Sequence, residues 1–437
     1  MRRLLFLIPL LASCLGHAED YIGPEVEPPY YQVRYEASKA EDGLKFAVQY
    51  TVWIPEVVEN LRGVIVHQHG CGTGSAKSGL TGAFDLHWQA LAREHDCALL
   101  SPVYEYEEGK SCRLWCDPEQ GSAQAFQEGL RDLGKLSGHP ELEKVPWALW
   151  GHSGGGVWVG IMTALYPERV AATWMRSGVL PIEQRPNREP VTLHEVNELM
   201  LSVPMMVNLG TGEGVTVKEG RFSGVWPAAK KFMENVREKN GLGAISIDPL
   251  TDHQCGNQRY LAMPWFDVCL EARLPKSVGA PLRVMDRDAG VLVPFHKGKA
   301  ISVSEFEGDA TQMGWLPTPG LGEAWETYVE DTSIADATPP PAPFDLQFAD
   351  GKLSWKAHAD LESGLAGFVI KRAGKVIAEL PEENRNPFGR PLFQGLQYSD
   401  TPKPPLEKME FIDPNPAKSV EGYEVISKNT LGLLSSK

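Results

Sequence analysis

After its first eighteen residues the chain has no uninterrupted apolar run of the roughly 18 residues that a membrane-crossing helix needs, which excludes a permanent span of that kind. It also lacks positive charge. Lys and Arg number 42 against 57 Asp and Glu, a formal net charge of −15 that becomes −17 once Arg2 and Arg3 leave with the N-terminal segment. A surface of that sign repels nucleic acid, anionic membranes and polyanionic substrates. Cysteine is sparse, seven in 437 residues, and no second C-x-x-C or H-x-x-x-H stands near any of them to complete a zinc site. "GCGTGSAKS" lacks the glycine before lysine that a phosphate loop needs, and "HEVNEL" has Glu198 where a zinc protease has its second histidine. "MDRDAG" reads as an acidic turn. No cofactor and no metal is expected.

What the chain does have begins with "MRRLLFLIPLLASCLGHA": two arginines, an apolar run, and a small-residue ending at Gly16 and Ala18. Residues 1–18 read as an export signal, so the mature protein is expected to be secreted or periplasmic. The alternative is "LASC", which resembles a lipobox and would leave a lipoprotein anchored through Cys14. Six cysteines remain, and an even number in an oxidising compartment points to disulfides. Cys112 and Cys116, in "SCRLWCDP", are the expected pair. For the deeper cysteines, Cys97 above all, a buried free thiol is the alternative.

A length of 437 residues argues for two domains. The proline-rich "IADATPPPAPFDL" supplies the break, giving a first domain at 19–335, a stiff linker at 336–343 and a second domain at 344–437. Past the linker, short alternating runs such as "KLSWKA" and "GFVIKRAGKVIAEL" are separated by turn residues, the pattern of a small all-β sandwich. Trp355, Tyr423 and the closing "NTLGLLSSK" make this region resemble a fibronectin type III domain.

Before the linker the pattern is different. "YQVRYEAS" and "LKFAVQYTVWIP" read as an antiparallel opening pair; six apolar runs follow, from "RGVIVHQHG" to "GAISIDPL", with helix-period segments between them. That alternation predicts an α/β fold, a mostly parallel eight-stranded sheet with helices on both faces. Ligands of such sheets bind at the carboxyl ends of the strands, where "HQHG", "GHS", "NLGTGE" and "LTDH" fall.

One of those ends carries "ALWGHSGGGVWVG". Three glycines after Ser153 would weaken an ordinary helix by about 1 kcal/mol each. Gly151-His152-Ser153-Gly154-Gly155 fits G-x-S-x-G, in which a strained strand-to-helix turn lifts the serine hydroxyl clear of the sheet. On these residues the chain from about 30 to 275 resembles the α/β-hydrolase family. "VIVHQHGCGTG" is similar to the family's HGGG loop, with Cys71 in place of the middle glycine. The resemblance implies an oxyanion hole made by the backbone N–H of Gly154 with that of Cys71 or Gly72. His67 and His69 are one residue apart on this strand, but no carboxylate cluster accompanies them to favour a metal.

The family order is serine, acid, histidine. Glu213, in "NLGTGEG", and His253, in "DPLTDHQ", follow Ser153 at separations of 60 and 40 residues, each about one strand–helix unit. A serine hydroxyl needs a base to take its proton and an acid to hold that base in the right tautomer. Asp248 and Asp252 compete with Glu213 for the acid's role. The loop "VYEYEEGKSCRLWCDPEQGS" should border the cleft, with Trp115, Trp158 and Trp226 as candidate apolar walls. The reading is a serine hydrolase that cleaves carboxylic esters, small or polymeric. A serine peptidase and a non-catalytic adhesion protein are the competing classes. Because the candidate triad ends before the linker, truncation from about residue 337 is expected to spare turnover of soluble esters.

Overall fold

The structure, a computed structural model, describes residues 21, 23–184, 191–383 and 386–436. The expected export signal, residues 1–18 with Cys14, lies outside the described residues. All eight expected strands form: β1 (Tyr30–Tyr35), β2 (Val48–Trp53), β3 (Gly63–Gln68), β4 (Cys97–Tyr104), β5 (Trp147–His152), β6 (Val170–Arg176), β7 (Met205–Gly210) and β8 (Gly243–Asp248). They lie side by side in the order β1-β2-β4-β3-β5-β6-β7-β8, antiparallel at β1–β2 and β2–β4 and parallel from β4 to β8.

From β2 to β8 every strand residue is buried, because helices cover both faces. Alternate side chains go to opposite cores. Val64, Val66, Trp147 and Leu149 face helices α2 (Ser122–Ser137), α3 (Gly154–Leu165) and α4 (Val225–Glu238). Ile65, Ala148 and Trp150 face α1 (Leu86–Glu94), α5 (Arg259–Arg273) and α6 (Pro319–Asp331). This is the α/β-hydrolase fold. The apolar core on the second side continues into a three-stranded antiparallel sheet of β9 (Val291–Pro294), β10 (Ile301–Ser302) and β11 (Met313–Leu316).

The C-terminal region forms two three-stranded antiparallel sheets. One has the order β12-β13-β16 (Phe344–Ala349, Lys352–Lys356, Glu410–Ile412) and the other β15-β14-β17, with β14 at Leu365–Arg372, β15 at Lys375–Leu380 and β17 at Tyr423–Asn429. Leu353, Trp355, Phe368, Ile370, Phe393, Tyr423 and Val425 make their shared core. The Tyr423 hydroxyl donates to Asp413 (2.7 Å) and accepts from the Ala417 N–H (3.0 Å), pinning the chain just before β17.

Between β15 and β16 the chain leaves the small sheets and runs onto the elements that flank the eight-stranded sheet. This arm is tied down along its length. Gln394 accepts from the Leu86 N–H and donates to the Phe84 carbonyl, both at 2.8 Å, and Gln397 donates to the Thr81 hydroxyl at 3.1 Å. Asp400 is fully buried and grips Arg259 Nε (2.9 Å) and Gln258 (2.8 Å), while Arg259 Nη2 reaches Asp85 at 2.7 Å. Asp85 itself caps α1 by accepting from the N–H groups of His87 and Trp88. Removing one member of a buried ionic group leaves an uncompensated charge, at a cost of about 3–5 kcal/mol. Asp400→Ala should therefore lower the urea unfolding midpoint by a corresponding amount, and an unchanged midpoint would show that the arm is not anchored through this group. The expectation that truncation near 337 spares activity is withdrawn on this evidence of contact: it would strip Arg259 of half its counter-charge.

Candidate active site

Ser153 ends β5 and starts α3 with φ 56° and ψ −114°, a conformation rare for a residue with a side chain. Its neighbours explain the glycines. A Cβ on Gly151 would stand 2.3 Å from the Gly155 carbonyl oxygen, and one on Gly154 would stand 2.1 Å from Cys71 Sγ. The turn is held by the Ser153 N–H donating to the Arg176 carbonyl on β6 at 2.7 Å. Gly154 opens the helix, so its N–H belongs to the first turn, which has no partner within the helix and sits at the positive end of the helix dipole.

His253 brings Nε2 to 3.0 Å from Ser153 Oγ and Nδ1 to 2.5 Å from Glu213 Oε1. Glu213 is fully buried in the turn after β7, and its Oε2 accepts from the Ser177 hydroxyl (2.6 Å) and the Gly210 N–H (2.8 Å). Burial works against the charge on Glu213. The hydrogen bond from His253 and the positive charge of Arg176 outweigh it and hold the carboxyl below its ordinary value. An ionised carboxylate only accepts, so Nδ1 carries the imidazole proton and the Nε2 lone pair faces the serine hydroxyl.

The competing acids do other things. Asp248 accepts from the Leu250 N–H (2.8 Å) and the Tyr328 hydroxyl (3.1 Å), and burial raises its pKa. Asp252 is exposed beside the histidine.

Four residues that sequence reasoning passed over hold this arrangement. The His152 ring is buried, and Nε2–H donates to the His253 carbonyl at 2.8 Å; burial keeps it neutral, well below the usual histidine value. Arg176 is fully buried and donates to Asn208 (2.8 Å), the Thr251 hydroxyl (3.1 Å) and the carbonyls of Asp252 (3.1 Å) and Gln254, gathering the histidine loop around one guanidinium. Its signal was there: an arginine closing an otherwise apolar buried strand, "AATWMR". Ser177, with φ 57°, is the third. Phe222 is the fourth and stacks on His253 at 3.7 Å, with the rings only 7° from parallel.

Three expectations need correction. Cys112 does not pair with Cys116 but with Cys71, at a Cα–Cα distance of 5.7 Å. Cys112 and Cys116 lie one helical turn apart, where their Cα–Cβ bonds run side by side, whereas Cys71 reaches Cys112 from the loop after β3. Cys116 is a buried free thiol, as are Cys97, Cys255 and Cys269. Trp115 and Trp158 are not cleft walls. Trp115 is fully buried, stacked on Tyr104 and against His69, and Trp158 is buried with its N–H on the Ser122 hydroxyl. Trp226 is half-buried, its backbone N–H donating to the Glu213 carbonyl at 2.9 Å.

The disulfide binds the loop after β3 to the segment after β4, and both its sulfurs lie against the Ser153 turn, where a Cβ on Gly154 would stand 2.1 Å from Cys71 Sγ and 2.8 Å from Cys112 Sγ. His69 has both ring nitrogens engaged, Nδ1–H with the Gly70 carbonyl (2.7 Å) and Nε2 with the Tyr104 N–H (3.2 Å), and burial lowers its pKa to about 4. His67 stacks on Trp150 at 3.7 Å. Groups of three potential metal ligands occur twice among the described residues: Cys71, Cys112 and Cys116, two of them spent in the disulfide, and Asp336, Asp360 and Glu362. In the second group Asn429 donates to Asp360 (3.1 Å) and Thr338 to Glu362 (2.7 Å).

No protein-family model matches the chain, and the comparison with curated proteins returns no match. Among solved structures it is similar to a thermostable esterase, at 15% identity and a TM-score of 0.34, over 50% of this chain and 54% of that one, so the chain spans about half its length. It is also similar to a fluorophosphonate-binding serine hydrolase of Staphylococcus aureus (14% identity, 51% of this chain and 91% of that one, TM-score 0.34). A ferulic acid esterase is similar at 14% identity, over 55% of this chain and 96% of that one, with a TM-score of 0.36.

Proposed function

We propose that the protein is an exported serine hydrolase that cleaves carboxylic esters through an acyl-enzyme. The observation that carries this is the relay of Ser153, His253 and Glu213, which follow β5, β8 and β7 of one sheet. Ser153 Oγ attacks the ester carbonyl while His253 Nε2 takes its proton. Glu213 stays ionised and stabilises the imidazolium that forms. The N–H of Gly154, with that of Cys71 or Gly72, receives the negative charge on the former carbonyl oxygen. As the tetrahedral intermediate collapses, the C–O bond to the alcohol breaks and His253 returns its proton to the leaving oxygen. Water then repeats the sequence on the acyl-serine and frees the acid.

In this reading residues 19–335 are the catalytic domain, 336–343 the linker and 344–437 a fibronectin type III-like domain. Residues 1–18 direct export, with release into the periplasm or medium, or retention through acylated Cys14. The acidic surface suits neutral esters, including polymeric or plant-wall types, over polyanions.

The test is a panel of p-nitrophenyl esters, a polyester, a feruloyl sugar and a peptide library, run with fluorophosphonate labelling. Ester turnover with a label on Ser153 is expected. Cleavage of peptides in preference to esters would reassign the enzyme as a peptidase, and an unlabelled Ser153 would make the chain a binding protein on a hydrolase fold.

A further inference from the structure

The C-terminal arm brings one more side chain to the triad. Tyr398 sits at the tip of a tight loop, closed by the Gln397 N–H on the Thr401 carbonyl (3.0 Å) and the Leu396–Pro402 bridge. Its carbonyl accepts from the Cys255 N–H at 3.1 Å, two residues past the catalytic histidine. Its neighbours are fixed as well: the Ser399 hydroxyl bonds that of Ser75 at 2.8 Å, and Asp400, at φ 58°, is locked to Arg259. The backbone is thus pinned on both sides, yet the residue is 51% exposed. Its centroid lies 5.7 Å from that of His152 and 6.5 Å from that of His253.

A long excursion with no strand among its described residues, rigidly held and offering an aromatic face to water beside a base, is better explained by a ligand than by folding. Its side of the site follows from the chemistry. His253 must hand its proton to the leaving oxygen, so the groups around His253 border the alcohol half of an ester, not the acyl half. Phe222, stacked on the same imidazole, adds a second apolar surface there.

We propose that Tyr398 is a specificity-determining residue whose ring, with Phe222, forms the wall for the alcohol portion of the substrate, so that esters of apolar or aromatic alcohols are preferred. This rests on the ester-hydrolase reading above. It makes the C-terminal region part of the substrate site, not an appendage to it.

Two substrate pairs test it on the full-length protein. With the acyl group fixed as acetyl, Tyr398→Ala should raise KM for 1-naphthyl acetate about tenfold, the scale of one lost aromatic contact, and leave ethyl acetate within about twofold. With the alcohol fixed as p-nitrophenol, the hexanoate-to-acetate ratio should not change. Tyr398→Phe should behave as wild type. If the alanine variant proves unfolded by circular dichroism, Tyr398→Leu against Tyr398→Phe makes the same comparison. Equal losses on both acetates would show that Tyr398 only steadies the histidine loop, and a changed acyl ratio would put it on the other side of the site; either overturns the inference. A wild type that turns over esters with no response to Tyr398 variants overturns it alone. A wild type inert to esters removes the parent reading and this one together.

Discussion

Replacing Ser153 by alanine should lower ester turnover by about five to six orders of magnitude, the loss expected when the nucleophile of a triad is removed. The Ser153 side chain bonds His253 Nε2, and the strained turn is held instead by its backbone N–H on the Arg176 carbonyl. Alanine keeps that backbone bond, so the urea midpoint should barely move. What rate survives comes from the oxyanion donors and from binding, which need no hydroxyl. Initial rates on p-nitrophenyl acetate and the intact mass after fluorophosphonate treatment read both effects. A variant that keeps a tenth of the wild-type rate would show that Ser153 is not the nucleophile.

Glu213→Gln should lower kcat by about four orders of magnitude, as when the orienting acid of a triad loses its charge. The amide is nearly the same size, so the loss does not arise from packing. Its two ends are no longer alike: Glu213 accepts from three donors, His253, Ser177 and Gly210, and an amide nitrogen turned to His253 or Gly210 meets a donor with a donor, while only the Ser177 hydroxyl can switch to accepting. The imidazole then loses both its tautomer and the charge that stabilises its protonated form. Asp248→Asn is the control, because Asp248 is spent on the Leu250 N–H and Tyr328 and does not touch His253. Its effect on kcat should stay below about tenfold. A reversed order of these two effects would move the acid to the end of β8.

The sheet was legible because strands buried on both faces must be mostly apolar, and six such runs, β3 to β8, stand in the sequence at spacings that helices fill. Ser153, Glu213 and His253 could be singled out because the motif and its order put them at strand ends. The rest was hidden for physical reasons. Helix α5 carries Pro264 in its interior, which argues against a helix from sequence, yet the segment is packed through Leu261, Trp265 and Phe266. The disulfide joins residues 41 apart, and sequence proximity favours the nearer, wrong partner. Trp115 was assigned to the cleft by the loop that carries it, when its ring turns inward to Tyr104. The arm has no periodicity to detect, since it is held by single side chains: Gln394, Gln397 and Asp400 each find partners in other parts of the chain.

Asp400 also sets a schedule. Arg259 and the residue it waits for are 141 positions apart, and Asp85 emerges earlier still. While the chain is being made, the guanidinium that joins them has only half its complement of negative charge. The two halves of the molecule therefore cannot mature one after the other as independent beads: the first stays provisional until the last hundred residues arrive. A chain cut short before that point lacks the carboxylate that pairs with Arg259 Nε, and quality-control proteases meet it as an unfinished protein.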